Sequence, residues 1–179
     1  IGTNSIAPGS IESKTGVTIE GDVVVGVGGN PAVVINSKSE ANITGEVSTL
    51  SESFTFPAIT LPAYLQLLPS KGIITDAATI NGNAKYDGIN IGNSKVIKIT
   101  GPVSVYVIGS IILDNSAQLQ IADVNNASLT LYLGGNIECK NGGIINNMTS
   151  DPKRVKIYGL NNCLSIDFKT TSNFYGAVY

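Results

Sequence analysis

The chain has 179 residues, of which 42% are hydrophobic and 13% charged, with a net charge of −2, no histidine and a single arginine, Arg154. The charged share is about half the usual one, and without a basic stripe the phosphate contacts of a nucleic-acid binder are excluded. No run approaches the ~20 apolar residues of a spanning helix, so no membrane contact is expected of this segment. Polarity comes instead from Asn, Ser, Thr and 20 Gly, as in a β-protein with many tight turns.

Ile1 opens a Ser/Gly/Asn-rich stretch with no leader sequence, which reads as the start of an excised ectodomain. Gly16–Gly26, Ala32–Asn36 and Ala41–Val47 then read as short strands, each a β-branched run punctuated by glycine or asparagine. Within them I-x-G-x-V occurs at Ile19–Val23 and again at Ile43–Val47, 24 residues apart. The glycines of V-V-G-V-G-G (24–29) lack the spacing and the Lys-Ser/Thr of a nucleotide loop and read as a turn.

Residues 51–72 break the pattern. Pro57, Pro62 and Pro69 make the first half extended, and one or two helical turns are expected over Pro62–Leu68, with Pro62 near the first helical position. Phe54, Phe56, Ile59, Leu61, Leu65 and Leu68 would be costly to leave in water, so the segment is expected to pack as a strap across the core.

The winding resumes with T-I-N-G-N-A (79–84) and K-I-T-G-P-V (98–103), whose glycines lie 19 apart. V-Y-V-I-G-S-I (105–111) returns as L-Y-L-G-G-N-I (131–137) with a shift of 26. A looser copy, K-I-Y-G-L, places Gly159 24 residues after Gly135, and F-Y-G-A-V closes the chain around Gly176. Such periods predict an all-β, right-handed parallel β-helix occupying 1–179 as one domain, each coil stacked ~4.8 Å above the last. An antiparallel sandwich would also show many short strands, but gives no reason for Tyr-x-x-Gly-x-Ile to return in phase.

Cys139 and Cys163 each lie four residues after one of these glycines, which places them in one column of successive coils. Two readings stand: a disulfide across adjacent coils, which implies export, or two small side chains filling the core. Tyr106 and Tyr132 also recur in phase, as an external ladder for ligand contact or as a structural stack.

Catalytic chemistry is hard to assemble. Without histidine the usual nucleophile–base arrangements cannot be built, and no zinc site can be completed. The acids are scattered: Glu20 and Asp22 would share a face in an extended segment, while Asp114, Asp123 and Asp151 stand apart. Lys153, Arg154 and Lys156 read as a solvated turn. Sequons at Asn42, Asn126 and Asn147 are within chance for this composition. No catalytic, metal or cofactor residues are assigned.

From Gly101 onward, V-Y-V-I-G-S-I-I-L-D, L-Y-L-G-G-N-I, V-K-I-Y-G and N-F-Y-G-A-V-Y resemble the β-helical domain of uncharacterised bacterial surface proteins, some with an N-terminal PilX-type pilin-like anchor. I-E-G-D-V and F-P-A-I-T-L-P fit the same pattern. The resemblance implies an extracellular or envelope location and a non-enzymatic, structural or adhesive, pilus-associated role, with a surface glycan or protein as partner. The I-x-G-x-V repeats are also similar to bactofilins, polymerising cytoplasmic solenoids whose coils are shorter and which lack such a strap. A polysaccharide-active enzyme of the same fold is the alternative from another class, and would need a cleft lined by three or more acids.

Overall fold

The computed structural model describes every residue except Lys14, Phe56, Asn147 and Thr170. Phe56 of the expected strap and the Asn147 sequon therefore lie outside the described residues. Contacts group the chain into two compact units, Ile1–Pro57 and Ala58–Tyr179. The boundary falls inside the segment read as one strap, at the first of its prolines.

The first unit has two coils. Ile11–Ser13, Thr18–Ile19 and Val23–Val25 pair in parallel with Ile35–Ser37, Asn42–Ile43 and Val47–Thr49. The register places Ile19 on Ile43 and Val23 on Val47, the spacing of the I-x-G-x-V repeat. Ile11, Val23, Val25 and Val34 form the small core. Pro31–Val34, whose last three residues are read above as the start of a strand, is a helical turn. Proline at the first helical position presets the backbone, and Asn30 caps the turn by accepting a hydrogen bond from the Ala32 amide at 3.0 Å. The strand begins only at Ile35.

The second unit winds five coils into three five-stranded parallel sheets. The first sheet stacks Ile73–Ile74, Gly88–Ile91, Ile111–Leu113, Ile137–Cys139 and Ile166–Phe168. The second stacks Ala78–Ile80, Val96–Ile99, Gln118–Ile121, Ile144–Ile145 and Asn173–Phe174. The third stacks Ala84–Tyr86, Pro102–Val107, Ser128–Leu133, Val155–Gly159 and Ala177–Val178. All these pairs are parallel, so the chain is a parallel β-solenoid and not a sandwich. Alternation within each strand turns one set of side chains inward, where they stack as aliphatic columns such as Val105–Leu131–Ile157 and Ile111–Ile137.

From the second coil on, the corner from first to second sheet keeps one length, where the first, Ile74 to Ala78, spans four positions. Ile91 to Val96, Leu113 to Gln118, Cys139 to Ile144 and Phe168 to Asn173 each span five positions. Three residues past each strand end stands a residue with φ near 60–70°: Ser94, Ser116, Gly142 and Thr171. Gly16 and Glu40 do the same in the first unit. The corner from second to third sheet varies instead, and its longest form, after Ile145, is tied by the buried Asn146. That side chain donates to the carbonyls of Asp151 and Tyr175 at 2.8 and 2.9 Å and accepts from the Thr149 hydroxyl at 2.6 Å.

At the corner leaving the third sheet, the recurring glycines stack directly. A Cβ on Gly135 would lie 2.6 Å from the Gly109 carbonyl carbon, and one on Gly109 would lie 2.6 Å from the Asp87 carbonyl oxygen. Gly135→Ala is therefore expected to cost about 1–3 kcal/mol by forcing backbone apart. Ser116→Gly, which relieves a left-handed backbone, is expected to gain up to ~1 kcal/mol. Urea denaturation of both variants checks the two signs.

Candidate binding face

The outer side of the third sheet gathers a recurring set of side chains. Register places Lys85, Tyr106, Tyr132 and Tyr158 in one column. Tyr132 and Tyr158 stack with ring centroids 5.2 Å apart and planes 20° apart, and Tyr158 stacks on Tyr179 at 5.0 Å and 20°. Lys85 Nζ stands 5.9 Å from the Tyr106 ring centroid. The structure thus brings Tyr106 and Tyr132 together as anticipated and extends the column to Tyr158 and Tyr179. Burial pushes the Tyr132 phenol up, with Tyr158 and then Tyr64 adding to the shift. Because the stacked rings turn their faces to one another, the column offers its ring edges, not its faces, to a ligand.

Ala58–Gly72 lies against this face. Its helical turn, Ala63–Gln66, packs on Pro102–Val107 and Ala84–Tyr86, with Leu65 fully buried. Lys85 Nζ donates to the Gln66 carbonyl at 2.8 Å. The strap then joins the edge of the sheet: Lys71 donates its amide to the Lys85 carbonyl, and the Asp87 amide donates to that of Gly72, both at 2.9 Å. Ser70 Oγ and Asp87 Oδ1 close the junction at 2.7 Å. The expected helical turn is present, and the second half of the proline-rich segment packs as expected. Phe54, in the first unit, is 57% exposed.

Two adjoining hollows lie beside the strap. One, of about 300 Å³, is lined by Ile59, Tyr106, Ile108, Asn161 and Asn162 among others. The next, of about 360 Å³, shares Ile59 and reaches Cys163, Ser165, Val178 and Tyr179. Sequence reasoning missed Asn161 and Asn162. They occupy a corner lengthened in this coil alone, so no repeat points to them.

The acids gather only in part. On the outer side of the first sheet Glu138 and Asp167 are register neighbours, and a shallow groove of about 310 Å³ passes them with Ser110, Asn136 and Ser165. Lys169 pairs with Asp167, and Lys140 pairs with Asp114 at 2.7 Å. Asn136 Oδ1 accepts from the amides of Leu164 and Ser165 at 2.8 and 3.0 Å, a corner brace. Glu20 and Asp22 do not share an extended segment. Gly21 turns at φ 121°, and Asp22 Oδ1 accepts from the Glu46 amide at 2.9 Å to brace the next coil. Among the described residues no three His, Cys, Asp or Glu side chains are grouped to hold a metal ion.

The cysteine column does not form. Cys139 stacks on Leu113 below and Phe168 above, and both cysteines are free thiols. Counting from Gly135 to Gly159 misplaces the phase, because Gly159 sits on Leu133 and Tyr158 on Tyr132. Three extra residues then enter the corner before Ile166, as the offset of 29 between Ile137 and Ile166 records against 26 between Leu133 and Gly159. Cys163 lies in that lengthened corner, its Sγ 3.2 Å from where a Cβ on Gly159 would stand.

The chain is thus a parallel β-solenoid with a strapped, tyrosine-stacked face. It belongs to the family described as "Domain of unknown function (DUF7305)", whose model matches residues 74–179. No curated protein and no solved structure matches it. Among the described residues no helix is long and apolar enough to cross a membrane.

Burial first, and Asp167 second, push the Cys139 thiol up from about 9 to about 12. Its folded value lies above its unfolded one, so its contribution to stability is whole below about pH 9 and is lost as pH climbs towards 12. Iodoacetamide at pH 8 is expected to label Cys163 in the folded protein and Cys139 only after unfolding in urea. A native Cys139–Cys163 bridge, or equal labelling, would contradict this placement.

Proposed function

We propose that the chain is a non-enzymatic structural or adhesive module of the bacterial cell envelope, pilus-associated, that presents one face of a rigid solenoid to a surface glycan or protein. The observation that carries this reading is the third sheet's outer face, where a strap and a stacked tyrosine column run alongside hollows lined by amides and hydroxyls. Stacked aliphatic columns hold that face rigid, so a partner would meet a surface organised before binding. The second reading, a polysaccharide-active enzyme, draws on the neighbouring Glu138 and Asp167. It has two acids where three or more were required, and Asp167 is committed to Lys169.

Protease shaving and antibody labelling of intact cells of the native host are expected to reach the protein in the envelope fraction. Deleting the gene is expected to lower attachment to glycan- or protein-coated surfaces at least several-fold without slowing growth. Recovery of the protein as cytoplasmic filaments would overturn the proposal in favour of a cytoskeletal solenoid. Polysaccharide cleavage lost in Glu138→Gln would favour the enzyme.

A further inference from the structure

We infer that the paired hollows beside the strap form a binding site for a neutral oligosaccharide whose chain runs along the solenoid axis. The inference rests on the adhesive reading above and names the class of ligand. Three observations carry it.

The first is charge. Neither hollow is lined by a charged side chain. Lys85, the cation at the foot of the tyrosine column, is held by the Gln66 carbonyl and the Tyr106 ring. An anionic chain would find no counter-charge there, whereas a neutral one leaves no ion unpaired. The second is the mixture of surfaces. Ile59, Ile108 and Val178 offer apolar contact for the C–H faces of sugar rings. Asn161, Asn162 and Ser165 supply amide and hydroxyl groups for sugar hydroxyls. The two asparagines form an exposed turn, and among the described residues no hydrogen bond engages either side chain. Placed polar groups beside apolar surface, in a hollow of this size, are what a small ligand meets in its site.

The third observation is spacing. Successive coils repeat their chemistry at the 5.2 and 5.0 Å separations of the tyrosine rings. One sugar of an extended β-linked chain covers a similar length, so a chain parallel to the axis advances about one coil per sugar. A peptide strand would need a free sheet edge for its backbone. The first hollow offers none, because Pro102–Val107 is paired on both sides, and the strap already occupies the edge at Lys85. Ile59 lines both hollows and marks where two subsites meet, which gives the strap a part in recognition as well as in packing.

The test titrates the isotope-labelled 179-residue chain with neutral hexasaccharides of β-linked glucose, N-acetylglucosamine and mannose, and with anionic oligogalacturonate. Saturable amide shifts are expected at Ile59, Tyr106, Asn161 and Asn162 with at least one neutral chain, and weaker binding of the anionic one. The double variant Asn161→Ala/Asn162→Ala is expected to weaken binding at least tenfold with an unchanged melting temperature, while Glu138→Gln binds as the parent does. Absence of saturable shifts with every neutral chain, preference for the anionic chain, or shifts centred on Glu138 and Asp167 would each overturn the inference. A surface-exposed protein that attaches only to protein-coated supports would end the glycan site and leave the adhesive reading standing. A cytoplasmic protein that still binds these sugars would do the reverse.

Discussion

Parallel pairing at one coil per step is the constraint from which the other features follow. Each strand hydrogen-bonds to the equivalent strand of the next coil, so a residue's neighbour along the axis is set by register and not by sequence distance. A single apolar position, repeated, becomes a continuous column, and Val105, Leu131 and Ile157 are one such case. A single outward tyrosine, repeated, becomes the stack of Tyr132, Tyr158 and Tyr179. The same rule excludes bulk where the backbone turns tightest, as Gly109 and Gly135 record.

Variation is therefore confined to the corners. The first corner recurs with five positions and one left-handed residue in every coil but the one that follows Ile74, in both units of the chain. The others absorb insertions, and those insertions carry the individual features: the Asn146 clamp, the Asn161–Asn162 turn and Cys163. A solenoid can change what it displays there without disturbing its columns, because the added residues sit outside the ladder of backbone hydrogen bonds. This division explains why the candidate site lies at the border of sheet and corner. The sheet supplies repetition and rigidity, and the corner supplies chemistry found once.

The strap belongs to the same economy. Ala58–Gly72 buries Leu65 against the third sheet and then pairs with Lys85, so the exposed edge of the first coil of that sheet is taken up by the chain itself. An occupied edge is a poor template for another strand. The strap also contributes Ile59 to both hollows.

Much of the architecture was legible in residues counted from within strands. Ile19 with Ile43, Ile80 with Ile99 and Tyr106 with Tyr132 sit in the registers that their spacing implies, because a strand residue can change coil only by a whole period. The helical turn after Pro62 was legible for an equally local reason. Counting from Gly135 to Gly159 failed, since that corner varies in length: Gly159 aligns with Leu133, and Cys139 meets Phe168 and not Cys163. The left-handed corner was in plain sight as Asn93-Ser94, Asn115-Ser116 and Asn141-Gly142, and went unread because its residue types differ where its backbone does not. The sequence by itself determined that the chain winds and which side chains face inward, through periodicity alone. The fold decided the rest: the length of each corner, the reach of the tyrosine column to Tyr179 and the meeting of Ile59 with Asn161. Those depend on contacts between residues that no short-range pattern connects.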